Sequence, residues 1–180
     1  MATKTTNTNA NGRLAMALAR ISLGFIFLWA FFDKLIGLGF ATCRDPKTDV
    51  VTRMCSKAWL EGGSPTEGFL KFATKGPLAD FYQGLAGIAL IDWLFMIGLL
   101  LIGVALIFGI GMRIATITGS LLLLMMWSAA LPPANNPIID DHIVYIFVLL
   151  ALSATNNQQV IGLRSWWTKQ AIVKKYPVLE

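Results

Sequence analysis

Long stretches of this chain carry no charge, and that one fact narrows what it can fold into. Ile21 to Phe32 is uncharged and rich in aromatics, and further apolar runs fill 93–110, 114–131 and 143–155. About twenty apolar residues in a helix are enough to cross the roughly 30 Å hydrocarbon core of a bilayer. Of the 180 residues, 56% are hydrophobic and 14% charged, with a mean hydropathy of +0.63. Soluble domains carry about 25% charged residues. The sequence therefore predicts an all-α integral membrane protein. Its four-transmembrane-helix bundle has spans at about 14–38, 92–110, 114–131 and 137–155.

Between the spans the expectations are local. Residues 1–12 are small and polar and read as a disordered tail, with no signal-peptide cleavage pattern. Span one would reach about 37 Å. Arg20 is placed to snorkel to headgroups at one end, and Asp33 and Lys34 lie at the other, where Gly37 and Gly39 let the helix stop. Residues 39–91 form a loop region with two short amphipathic helices. Ser64-Pro65-Thr66-Glu67 has the grammar of a capping box with Ser64 as cap, and Gly76-Pro77 separates the two helices. They either lie on the membrane surface or form a small cap over the spans. Asp92 is the expected N-cap of span two, and Gly98 and Gly103 mark a helix-packing face. Gly109-Ile110-Gly111 is a turn and not a nucleotide motif, since no strand precedes it. Span four takes Asn136 as cap and Pro137 as first residue. The tail 156–180, with Trp166, Trp167, Lys169, Lys174, Lys175 and Tyr176, reads as an interfacial anchor.

The net charge of +5 fits basic residues flanking spans, and no basic run is interleaved with aromatics as nucleic-acid binding wants. Both termini fall on one side. Basic residues divide eight to seven between the sides, so the short connections decide. Arg113 lies in one of them, and two aspartates without a base lie in the other, which favours cytoplasmic termini. The loop holding Cys43 and Cys55 then faces outward, where a disulfide is the plain reading and a redox-active dithiol the sharper one. Two cysteines and one histidine are too few for a Cys/His metal centre or a pair of haem ligands.

Candidate chemistry gathers at the loop end. Asp141 and Tyr145 are four apart and His142 and Tyr145 three, so they share a helix surface. A carboxylate beside an imidazole can accept and pass protons near neutrality. Asp140, Asp141 and His142 are thus a candidate proton or ligand site. Asp33, Lys34, Trp127 and Tyr145 are candidate quinone contacts, with Met125 and Met126 beside Trp127 lining an apolar slot. The plainer alternative is that aspartates in a first helical turn answer the helix dipole and the histidine is merely wet. A cross-helix pair of Lys34 with Asp92, Asp140 or Asp141 is a further expectation. No Ser/His/Asp arrangement or phosphate-cradling loop is visible. Mid-span charge and inverted repeats, the marks of a transporter, are lacking too.

These residues carry a resemblance. Arg20-x-x-Leu23-Gly24-Phe25, Trp29-Ala30-Phe31-x-Asp33-Lys34-Leu35, Thr74-Lys75-Gly76-Pro77-Leu78-Ala79-x-Phe81-Tyr82, Asp92-Trp93-Leu94-Phe95-Met96-x-Gly98 and Asn135-Asn136-Pro137-x-x-Asp140-Asp141-His142 follow in the order seen in the DoxX/DoxD family. The chain resembles that family over about residues 13 to 165. The resemblance implies a four-helix bundle in a bacterial or archaeal cytoplasmic membrane. Name-giving members are subunits of a thiosulfate:quinone oxidoreductase, and relatives serve as membrane partners in redox-stress complexes. The expectation is a quinone-linked redox subunit with a membrane or soluble redox partner. The alternative is a non-catalytic accessory or scaffold subunit, for which the 41–91 region offers a docking surface.

Overall fold

The structure, a computed structural model, describes residues 3–156 and 160–180, with side chains from Ala10 onward. Met1, Ala2 and the side chain of Lys4 lie outside the described residues. Eight α-helices are present among them: α1 Thr3–Ile36, α2 Glu67–Phe72, α3 Ala79–Gln83, α4 Ala89–Phe108, α5 Met112–Ala129, α6 Asp141–Ala154, α7 Arg164–Trp167 and α8 Ala171–Lys175. No strand occurs among the described residues, only an isolated bridge between Arg44 and Val51.

Three helices are long and apolar enough to cross a membrane, over Ala10–Ile36, Ala89–Phe108 and Met112–Ala129. The fourth apolar helix, α6, has 14 residues and rises about 21 Å, less than the ~30 Å of a hydrocarbon core. Large apolar side chains such as Phe25, Leu94, Leu101, Ile117 and Phe147 stand exposed on these helices. That is the inside-out pattern of helices whose solvent is lipid.

The core is built from one stripe on each long helix. Leu23, Phe27 and Phe31 of α1 meet Met96, Leu99, Ile102 and Leu106 of α4, while Met112 and Leu123 of α5 meet Leu149 and Leu152 of α6. Glycines let α1 and α4 approach. A Cβ on Gly24 would lie 2.9 Å from Leu106, and one on Gly103 would lie 2.7 Å from Leu28. Where lipid gives no hydrophobic drive between helices, such close packing holds them. Gly98 differs from the expected packing role: a Cβ there meets nothing within 4 Å.

Several element ends differ from expectation. α1 starts at Thr3, so the helix runs back through the polar stretch. It ends as predicted at a left-handed glycine, with Gly37 N–H donating to Asp33 O and φ at +66°. α4 starts at Ala89 with Ile88 before it, so Asp92 is not its cap. The cap of α6 is Asp140, not Asn136. Asp140 Oδ1 accepts from the amides of His142 and Ile143, whereas Asn136 Oδ1 accepts from Ile138 and Ile139 and folds the loop on itself. Pro137 therefore belongs to the loop. Half of the expected capping box forms: Ser64 Oγ accepts from Glu67 N–H at 3.1 Å, but Glu67 turns to Lys71 at 2.5 Å instead of reaching back.

Arg20 departs furthest from its predicted place. It does not snorkel; its side chain is fully buried. Its Nη1 donates to Leu106 O at 2.5 Å and Ile107 O at 3.1 Å, and its Nη2 donates to Ile161 O at 2.5 Å. The last carbonyls of α4 have no intrahelical partners, so a cation there satisfies them and the helix dipole together. Gly109, at φ +69°, makes the room, since a Cβ on it would lie 2.6 Å from Nη1.

Candidate functional site

The bundle has two ends. The loop end carries residues 37–88 and 130–140, and the terminal end carries the Gly109–Gly111 turn and the C-terminal segment. Between α4 and α5 an apolar groove of about 750 Å³ runs from one end to the other. Leu94, Gly98, Leu101 and Ala105 line it from α4 at helical spacing, and Ile114, Thr118, Leu121 and Met125 line it from α5. These intervals of three and four put each set on one helix face. Gly98 sits in the middle of the α4 wall, and its missing side chain leaves the groove open there.

Polar groups concentrate at the loop end of the groove. Lys34 reaches its rim with Nζ 5.9 Å from the Phe95 ring centroid. Among the described residues no carboxylate lies within ion-pair distance of Lys34. Its sequence neighbour Asp33 is buried and used elsewhere: Oδ1 accepts from Phe40 N–H at 3.0 Å and Oδ2 from Ala41 N–H at 2.9 Å. The expected pairing of Lys34 with Asp92, Asp140 or Asp141 does not form. Asp92 Oδ1 instead accepts from Ser64 Oγ, Thr66 N–H and Thr66 Oγ1, at 2.8, 3.2 and 2.6 Å, and ties the loop to α4. Tyr82, another lining residue, has its hydroxyl 2.6 Å from Ser128 Oγ. Ser128 donates to Met125 O, so its oxygen is the acceptor and Tyr82 the donor. The Tyr82 oxygen keeps its lone pairs for a second donor.

The other predicted residues divide. Met125 and Met126 line the groove, but Trp127, beside which they were expected to form a slot, does not. Trp127 Nε1 donates to Ile138 O at 2.8 Å and fastens the 130–140 loop. Tyr145 packs against the main core instead of the groove. Asp140, Asp141 and His142 do come together: His142 Nδ1 lies 2.8 Å from Asp140 Oδ2 and 3.6 Å from Asp141 Oδ1. Their potential ligand atoms fall within 4.8 Å of one another. Both oxygens of Asp140 are already engaged in capping α6 and holding His142, so the fold accounts for the cluster without an ion. None of the three lines the groove. Cys43 and Cys55 form a disulfide across the loop that follows α1.

Among the groove residues that sequence reasoning missed are Tyr82 at the loop end, Gly98 as an opening, and Trp167 and Leu179 at the terminal end. Gly98 was visible as a small residue, but its spacing alone does not separate a packed face from an open one. No protein-family model, curated protein or solved structure matches this chain.

Proposed function

We propose that this chain is a quinone-linked redox subunit of a bacterial or archaeal cytoplasmic membrane, with α6 as a fourth crossing and both termini cytoplasmic. The observation that carries the reading is the groove: apolar along its length, open at Gly98, and headed by Lys34, which has no carboxylate partner among the described residues. A quinone is an amphiphile of that shape. Its ring carbonyls accept hydrogen bonds and its tail is hydrocarbon. Lys34 donates to a ring carbonyl, and the Tyr82 oxygen accepts from the hydroxyl of the quinol. Reduction of quinone to quinol consumes two electrons and two protons. A partner subunit supplies the electrons in this reading. The Asp140–His142 pair at the same end exchanges the protons with solvent.

The resemblance to the DoxX/DoxD family supports the same class. Extraction of the purified protein followed by quinone analysis tests it: quinone retained above the level of the surrounding lipid is expected, and Lys34→Met lowers it. Retention equal to lipid background in both proteins would remove the assignment.

One observation favours an accessory or scaffold role instead. Phe72 and Phe81, at the loop end, are strongly exposed. A stoichiometric partner that co-purifies and is lost on Phe72→Ser/Phe81→Ser, with no quinone retained, would establish that role.

A further inference from the structure

We infer that the C-terminal segment is the floor of the α4–α5 groove and sets the tail length of the amphiphile seated in it. This rests on the reading of the groove as a quinone site. Trp167 and Leu179 line the groove where it ends beside Ile110 and Gly111. They are locked to each other, because Trp167 Nε1 donates to Leu179 O at 2.6 Å.

The segment that carries them is fastened to the bundle at both of its ends. Near its start, Arg20 Nη2 donates to Ile161 O and Leu163 N–H donates to Phe108 O at 2.7 Å. Gly162 between them takes φ +132°, and a Cβ there would lie 2.8 Å from Phe108 O. At its end, Arg113 N–H donates to Glu180 O at 3.2 Å, and the Arg164 guanidinium pairs with the Glu180 carboxylate. The buried Arg20 thus joins α1, the end of α4 and this segment. Nothing in the chemistry of a simple interfacial anchor requires so many specific attachments.

A tail descending from a headgroup at Lys34 passes along α4 from Ile91 to Ala105, a rise of about 21 Å, and then meets the indole of Trp167 and the side chain of Leu179. Lipid solvates a hydrocarbon tail as well as the groove does, so tail selection comes from fit and not from burial. A tail ending at the floor fits. A longer one must turn out sideways between α4 and α5 or displace the segment and its hydrogen bonds.

The test uses quinones of one headgroup with a diazirine at the end of tails of graded length, added to the full chain in nanodiscs. The expected result is that a short tail labels the α4 wall near Gly98 and one tail length labels residues 163–180. Both signals fall at least tenfold with excess unlabelled quinone. Leu179→Ala keeps the carbonyl that Trp167 uses, and it moves the 163–180 signal to the next longer tail. Competable labelling near Gly98 with none on 163–180 at any length would overturn the floor and leave the quinone site standing. Labelling that no quinone competes away, at any tail length, would overturn both.

Discussion

The Lys34 ammonium stands 5.9 Å from the centre of the Phe95 ring, one residue after an aspartate that it does not pair with. Asp33 has turned to the amides of the loop that follows α1, and Lys34 has been left to the groove. An ammonium over an aromatic face gains of order 1 kcal/mol, which does not replace a carboxylate. A hydrogen-bond acceptor at the rim would complete its coordination. Lys34→Met is expected to lower quinone affinity about tenfold, the worth of a hydrogen bond to a charged donor, with little change in stability. Equal affinity in titrations of the two proteins would remove Lys34 from the site.

Asp92 holds the loop layer to α4 through three donors from Ser64 and Thr66. Asp92→Ala leaves the two buried Thr66 donors and the half-buried Ser64 hydroxyl without that acceptor. It is expected to cost about 2 kcal/mol and to raise hydrogen exchange at the Thr66 and Glu67 amides while exchange in α5 stays unchanged. Uniform protection across both would show that the attachment lies elsewhere.

Arg20 gives the larger effect. Arg20→Met empties three carbonyl contacts at the terminal end and is expected to destabilise the bundle by about 3 kcal/mol, read as a lower Tm in detergent. It also frees the C-terminal segment, which limited proteolysis after Val160 would detect. A Tm within one degree of the parent would contradict the role given to Arg20.

Asp45 supplies the pH dependence. Hydrogen bonds from the Lys47 amide, and then from the Thr48 amide, hold its carboxyl below the usual carboxylate range. A depressed folded value means the turn is stabilised above the unfolded value, near 3.9, and that this contribution is lost as pH falls through the folded value. Amide shifts of Lys47 and Thr48 should therefore titrate below the midpoint of a free aspartate. A normal midpoint would show that the turn does not hold the carboxylate.

Most of the architecture was legible because lipid leaves a chain few options. The uncharged runs marked the long helices, and Gly37 and Gly109–Gly111 marked where two of them stop. Cap positions were less legible. Asn136 and Asp140 are both good caps four residues apart, and which one starts the helix depends on Asn136 folding back on Ile138 and Ile139. Arg20 is not legible from sequence because a lone arginine near a span end is usually wet, and only the fold brings the C-terminal end of α4 and the start of the C-terminal segment around it. The site was legible in its residue types more than its place. Lys34 and the two methionines reached the groove, while Asp140, Asp141, His142, Trp127 and Tyr145 serve α6, its loop and the core. Helix spacing says which residues share a face, not which face a neighbouring helix leaves open.

Gly98 and Gly103 separate these two cases. Both lie on α4, five residues apart; one faces open space and the other Leu28. Gly98→Leu should fold, gaining up to about 1 kcal/mol of helix propensity, and fill the groove. Gly103→Leu should part α1 from α4 and unfold. The deciding measurement is a quinone titration of the folded Gly98→Leu protein in nanodiscs. At least a tenfold loss of affinity with a Tm no lower than the parent's is expected; affinity equal to the parent would mean that the groove between α4 and α5 is not where a quinone binds.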